Sequence, residues 1–171
     1  MGSLGADGTA GGQRSCNTGD GEPVWIESSA TGATLDGIRF NSMSASGAAC
    51  SGSVDGFHLE YVRLQEAQNV TIRNSTFVPD AGSGNGAGSG KIFVTSSSVS
   101  SSAANGLKLI GNTFGTVRAS YSMQTHTNVQ NASGWQIKNN TFAQGVISPN
   151  LAAGAACGNT GPVAASWQTT C

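Results

Sequence analysis

Apolar residues along this chain recur in short alternating blocks. Four segments, 33–40, 70–77, 107–114 and 135–142, align on a terminal phenylalanine: Phe40, Phe77, Phe114 and Phe142. In each, the first and third residues are apolar or small and the second and fourth are mostly polar. That is the period-two signature of a strand with one buried face. The fifth position is Gly37, Asn74, Gly111 or Asn139. These residue types enter left-handed backbone most readily, so the chain is expected to turn there and point the following phenylalanine inward. A further β-like segment precedes each block, at Val24-Trp25-Ile26, 57–62, 92–94 and 121–123, and Val146-Ile147 follows the last.

The phenylalanines stand 37, 37 and 28 residues apart. The irregular excess falls in 81–90 and 96–102, rich in Gly and Ser, which read as surface loops. Strand, turn, strand and loop, repeated with the same residue types at equivalent places, is the pattern of a solenoid whose coils stack like on like. Stacking predicts one interior ladder of Leu35, Ile72, Leu109 and Ile137 and a second of the four phenylalanines, with Trp135 at an interior position. Outside, it sets Thr34, Thr71, Lys108 and Gln136 in one file and Asp36, Arg73, Ile110 and Lys138 in the next. Asp36 beneath Arg73 is then an ion pair between neighbouring coils.

The motifs over 69–77, 106–114 and 134–142 resemble coils of the right-handed parallel β-helix, the pectate-lyase-like superfold. Within it, the chain is most similar to secreted bacterial proteins described only as containing right-handed β-helix repeats. The resemblance covers roughly residues 24–150 and implies an all-β fold, a short right-handed parallel β-helix (solenoid) of about four to five coils. Such a stub is roughly 20–25 Å long at the usual strand spacing. The expected organisation is a Gly-rich N-terminal segment or cap over 1–22, the β-helix over 23–150 and a disulfide-bounded tail over 151–171. Open coil ends must be capped, or joined to a second copy or a longer parent chain.

Composition narrows the function classes. Gly, Ser, Thr and Asn fill 76 of the 171 positions and charged residues only 10%, which argues against a helical bundle. A net charge of -1 without a basic run excludes electrostatic nucleic-acid binding. No window approaches eighteen consecutive apolar residues, so no membrane span is expected. All nine carboxylates lie in the first 80 residues, beside four arginines. The rest of the chain holds four cations, Lys91, Lys108, Arg118 and Lys138, and no carboxylate. Any two-carboxylate chemistry is confined to the first coils.

Four cysteines, Cys16, Cys50, Cys157 and Cys171, without a C-x-x-C spacing and with only two histidines, make a zinc site improbable. No metal or cofactor is expected. The even count fits two disulfides, with nearest-neighbour pairing one of three connectivities and buried free thiols the alternative. The chain opens without a signal-peptide pattern, and a secreted or cell-surface location rests on the resemblance and the cysteines. Residues 84–90 lack the Gly-Lys-Ser/Thr ending of a phosphate loop. Asn-x-Ser/Thr triplets at Asn69, Asn74, Asn131 and Asn139 read as turn and stacking residues.

Polysaccharide-degrading members of the superfold use outward residues along one strand face. Alternation over 57–62 directs His58 and Glu60 outward, and Lys91 and His126 fall on adjacent coils, giving a candidate catalytic quartet of His58, Glu60, Lys91 and His126. A lyase needs a base beside a uronate and a cation for the resulting enolate, whereas a hydrolase needs two spaced carboxylates. Trp25, Arg63, Gln124 and Arg118 are candidate substrate contacts, Trp25 by stacking on a sugar face. The aspartate cluster of polygalacturonases and the calcium-binding acids and paired arginines of pectate lyases are absent. The expectation is therefore a secreted protein that associates with, and in the stronger version cleaves, an extracellular polysaccharide. The alternative is a non-catalytic surface, appendage or tailspike module that assembles through its coil ends.

Overall fold

The computed structural model describes residues 3–4, 13–14, 24–40, 44–45, 60–78, 90–96, 104–115, 121–129, 133–147, 151–152 and 154–162. Among these residues the chain forms a parallel β-solenoid with three walls. The first sheet stacks β3 (Val24–Glu27), β7 (Val62–Gln65), β10 (Gly90–Thr95), β13 (Tyr121–Thr125) and β16 (Gly145–Ile147) in that order. The second stacks β4 (Thr34–Asp36), β8 (Thr71–Arg73), β11 (Lys108–Ile110), β14 (Gln136–Lys138) and β17 (Ala156–Cys157). The third stacks β1 (Ser3–Leu4), β5 (Arg39–Phe40), β9 (Thr76–Phe77), β12 (Thr113–Phe114) and β15 (Thr141–Phe142). β2 (Gln13–Arg14) and β6 (Ser44–Ala45) form a separate short parallel pair. Every pairing is parallel, as stacking of successive coils requires.

Two left-handed corners per coil explain why the repeat carries glycine and asparagine where it does. Gly37, Asn74, Gly111, Asn139 and Gly158 turn the chain from the second wall into the third, with φ of 65°, 51°, 65°, 55° and 65°. Gly32, Asn69, Gly106, Gly134 and Gly154 do the same on entry to the second wall. Space is scarce at that corner: a Cβ on Gly106 would lie 2.2 Å from the Asn69 Oδ1.

The interior ladders form as the pattern predicts. Leu35, Ile72, Leu109 and Ile137 pair in register. The phenylalanine rings stack with centroids 4.4, 4.6 and 4.9 Å apart, and all four are buried. Trp135 is buried, and its indole N–H donates to the Ala104 carbonyl at 2.7 Å. Outside, Arg73 Nη2 lies 2.8 Å from Asp36 Oδ2, forming the expected ion pair between coils.

A polar ladder runs beside the phenylalanines. The Asn112 and Asn140 amides donate to the Ile72 and Leu109 carbonyls one coil back, at 2.8 and 2.9 Å, and Asn159 donates likewise to Ile137. Their side-chain oxygens accept backbone N–H groups from the preceding coil: Ser75 to Asn112, Asn112 to Asn140 and Asn140 to Asn159, at 3.0, 2.9 and 3.0 Å. The corners' backbone groups are thus satisfied without water, as a buried turn demands.

Two expectations change. The segment expected over 57–62 becomes a strand at Val62–Gln65, and residues 57–59 lie outside the described residues. Stacking also continues past residue 150. β17 pairs with β14, and Thr160 bridges Thr141, so the segment read as a tail carries one more coil. Cys157, in β17, is buried and disulfide-bonded; Cys16, Cys50 and Cys171 lie outside the described residues.

Candidate functional site

The outer face of the first sheet gathers most of the described residues singled out for ligand contact. Register places Trp25 beside Arg63, Arg63 beside Phe93, and Phe93 beside Gln124, one per coil. Alternation puts them there: Val62 and Leu64 point inward along β7, so Arg63 and Gln65 must point out. Trp25 is 51% exposed and is the one large hydrophobic side chain among the described residues that solvent reaches to this extent. The Arg63 guanidinium carbon sits 4.9 Å from the Trp25 ring centroid, a cation–π arrangement between neighbouring coils.

His126 lies at the far end of this strip, where its ring stands perpendicular to that of Phe93 with centroids 6.2 Å apart. The Asn128 backbone N–H donates to His126 Nδ1 at 3.1 Å. Nδ1 is therefore an acceptor, and the neutral ring carries its proton on Nε2. The strip thus offers an aromatic plane, a guanidinium, an amide and an imidazole N–H within four coils.

The expected catalytic quartet does not share this face. Glu60 and Lys91 were expected outward, and both are fully buried. The alternation used to orient Glu60 does not apply, because residues 60 and 61 belong to the corner before β7 rather than to a strand. Lys91 stands across from Tyr61, whose backbone N–H donates to the Lys91 carbonyl at 3.0 Å. Its stem runs inward, its ammonium lies 4.7 Å from the Tyr61 ring centroid, and it donates to the Val78 carbonyl at the corner leaving the third wall. A long aliphatic stem with a polar tip can be buried this way. His58 and Arg118 lie outside the described residues. Of the eight catalytic and substrate-contact candidates, Trp25, Arg63, Gln124 and His126 thus come together, and Glu60 with Lys91 lies in the interior.

On the second wall, Asp36 accepts from Asn74 Nδ2 and from Arg73 Nε, both at 2.9 Å. The Asn74 hydrogen bond, and then the Arg73 one, hold its carboxyl below the ordinary aspartate range. Among the described residues no group of three His, Cys, Asp or Glu side chains is placed to hold a metal ion. Sequence reasoning missed the asparagine ladder, whose signal was the shared residue before each threonine, Asn112, Asn140 and Asn159. Family models, curated proteins and solved structures all fail to match the chain.

Proposed function

We propose that this chain is a pectate-lyase-like β-helix acting outside the cell that associates with an extracellular polysaccharide along the strip Trp25, Arg63 and Gln124, with the buried Phe93 between the last two. The observation that carries the reading is the half-exposed Trp25 with the Arg63 guanidinium laid on its ring. A half-exposed indole offers a sugar ring an apolar surface, and the guanidinium and amide on the same face supply donors for hydroxyls. Strand stacking repeats the contact about every 4.8 Å, which suits a polymer lying across the coils rather than a small ligand in a cleft. Association is favoured over cleavage because Glu60 and Lys91 are buried. The disulfide at Cys157 fits an oxidising compartment.

Affinity electrophoresis through gels containing soluble polysaccharides, backed by a glycan array, tests this reading. The parent protein should be retarded by at least one polymer, and Trp25→Ala with Arg63→Ala should migrate freely. Identical retardation of parent and double variant on every polymer would sink it. The alternative, a rigid module assembling through its coil ends, draws on the ladders that cross every wall. Light scattering that shows concentration-dependent growth without any glycan retardation would favour it.

A further inference from the structure

A different face carries an inference independent of the glycan strip. Along the outside of the third wall one threonine per coil is in register, Thr76, Thr113, Thr141 and Thr160, following Arg39 on the first of these coils. Thr113, Thr141 and Thr160 are exposed and Thr76 is half-buried. The next outward position is Val78, Gly115 and Ala143. It is held in the same stack by backbone N–H bonds to Phe40, Phe77 and Phe114 carbonyls at 3.1, 2.7 and 3.0 Å. From Thr76 to Thr160 these two files contain no charged side chain.

The array is rigid for reasons that lie beneath it. Thr76, Thr113 and Thr141 each precede a phenylalanine, Phe77, Phe114 or Phe142, in a stack of rings spaced 4.4–4.9 Å, and the asparagine ladder ties the preceding corner. The β-branched side chain is itself stiff at χ1. Hydroxyls and methyls therefore repeat at the coil spacing, about 4.8 Å, and the Thr160 hydroxyl reaches that of Thr141 at 3.2 Å.

We infer that this threonine face is an ice-binding surface, its partner the lattice of crystalline water. A dissolved ligand gains little from an uncharged strip of Thr, Val, Gly and Ala. A crystal surface gains from periodicity itself, because each hydroxyl and methyl meets an equivalent lattice position. The coil spacing is close to the oxygen repeat in hexagonal ice. Because the array is already ordered, little conformational entropy is lost on contact.

The test uses the whole chain in a nanolitre osmometer, with ice crystals observed during slow cooling and albumin as control. Faceted crystals and a gap between melting and growth temperatures are expected. Thr113→Lys and Thr141→Lys should lose most of that gap while their circular dichroism and melting match the parent, and Trp25→Ala should keep it in full. Round, freely growing crystals with the parent protein overturn the inference, and so does full activity in a correctly folded Thr113→Lys. Should a variant misfold, incorporation of the fluorescently labelled parent into a growing ice hemisphere decides the matter, since a protein without an ice-binding face is excluded from the crystal.

Discussion

The corner between the second and third walls and the corner between the third and first solve the same problem in opposite ways. At the first, each coil from Asn74 onward repeats its neighbour: a left-handed Gly or Asn, then Ser75, Asn112, Asn140 or Asn159, then the threonine file and, as far as Phe142, a stacked phenylalanine. At the second, the equivalent places are held by Tyr61, Lys91 and Ser122, all fully buried and all different. Tyr61 packs edge-on against Phe40 and Phe77, at 5.9 and 6.0 Å. Lys91 reaches out to Val78, and the Ser122 hydroxyl donates to the Gln144 carbonyl at 3.1 Å. A uniform corner reuses one interaction along the whole stack, whereas a variable corner must be satisfied coil by coil. Part of the difference in repeat length also falls on this side, where 79–89 separate the third wall from the first in one coil and 116–120 in the next.

The largest expected effect breaks the uniform side. Phe114 has a ring on either face, so Phe114→Ala removes two stacking contacts along with the buried side chain. It should cost about 3–5 kcal/mol in urea unfolding. Phe142, with one ring neighbour among the described phenylalanines, should cost less on the same substitution. Equal costs would mean that the rings do not support one another along the stack.

Next comes the asparagine ladder. Asn140→Ala strands the Asn112 N–H and the Leu109 carbonyl in a dry interior. At roughly 1–3 kcal/mol for a buried group left unsatisfied, the loss should approach 3 kcal/mol. Lys91→Met, at the variable corner, should by contrast change stability by no more than about 1 kcal/mol in either direction. An apolar side chain of similar volume replaces a buried cation whose desolvation offset much of its gain. Thermal melting of both variants side by side checks the contrast, and it disappears if Lys91→Met melts as low as Asn140→Ala.

The uniform corner is also the part that could be read from the residues. Phenylalanine ladder, left-handed turns and the Asp36–Arg73 pair all follow from aligning like with like, because stacking turns repetition in sequence directly into contact in space. Alignment on phenylalanine stopped one coil early for a physical reason. Cys157-Gly158-Asn159-Thr160 repeats Ile110-Gly111-Asn112-Thr113, but Gly161 stands where the ring would be. At φ 107° its missing Cβ leaves room for the Phe142 carbonyl. The variable corner was not legible because alternation orients side chains only within a strand. Glu60 sits in the bend before β7, and Lys91, although it lies in β10, is buried among partners, Tyr61 and Val78, that are distant from it in sequence. Trp25 and Arg63 could be oriented once β7 was placed, since their strand parity holds throughout.

The smallest effect lies outside the uniform stack, at Asp36. Its carboxyl is held below the ordinary aspartate range by hydrogen bonds from Asn74 and then Arg73. A depressed folded value means that the folded chain binds its proton less readily than the unfolded chain does. The stabilisation is therefore complete above the unfolded aspartate value, near 3.9, and is lost as pH falls through the folded one. Because the pair is open to solvent, it should be a slight, salt-sensitive effect. Carboxyl carbon shifts followed by NMR from neutral to acid pH should give Asp36 a midpoint below that of an unstructured aspartate. Asn74→Ala should raise that midpoint and Arg73→Gln should raise it too, with added salt narrowing the difference for Arg73→Gln. A midpoint unmoved by Asn74→Ala would show that the corner asparagine serves the backbone turn alone. The link between coils on this wall would then be ionic rather than a shared hydrogen-bonded pair.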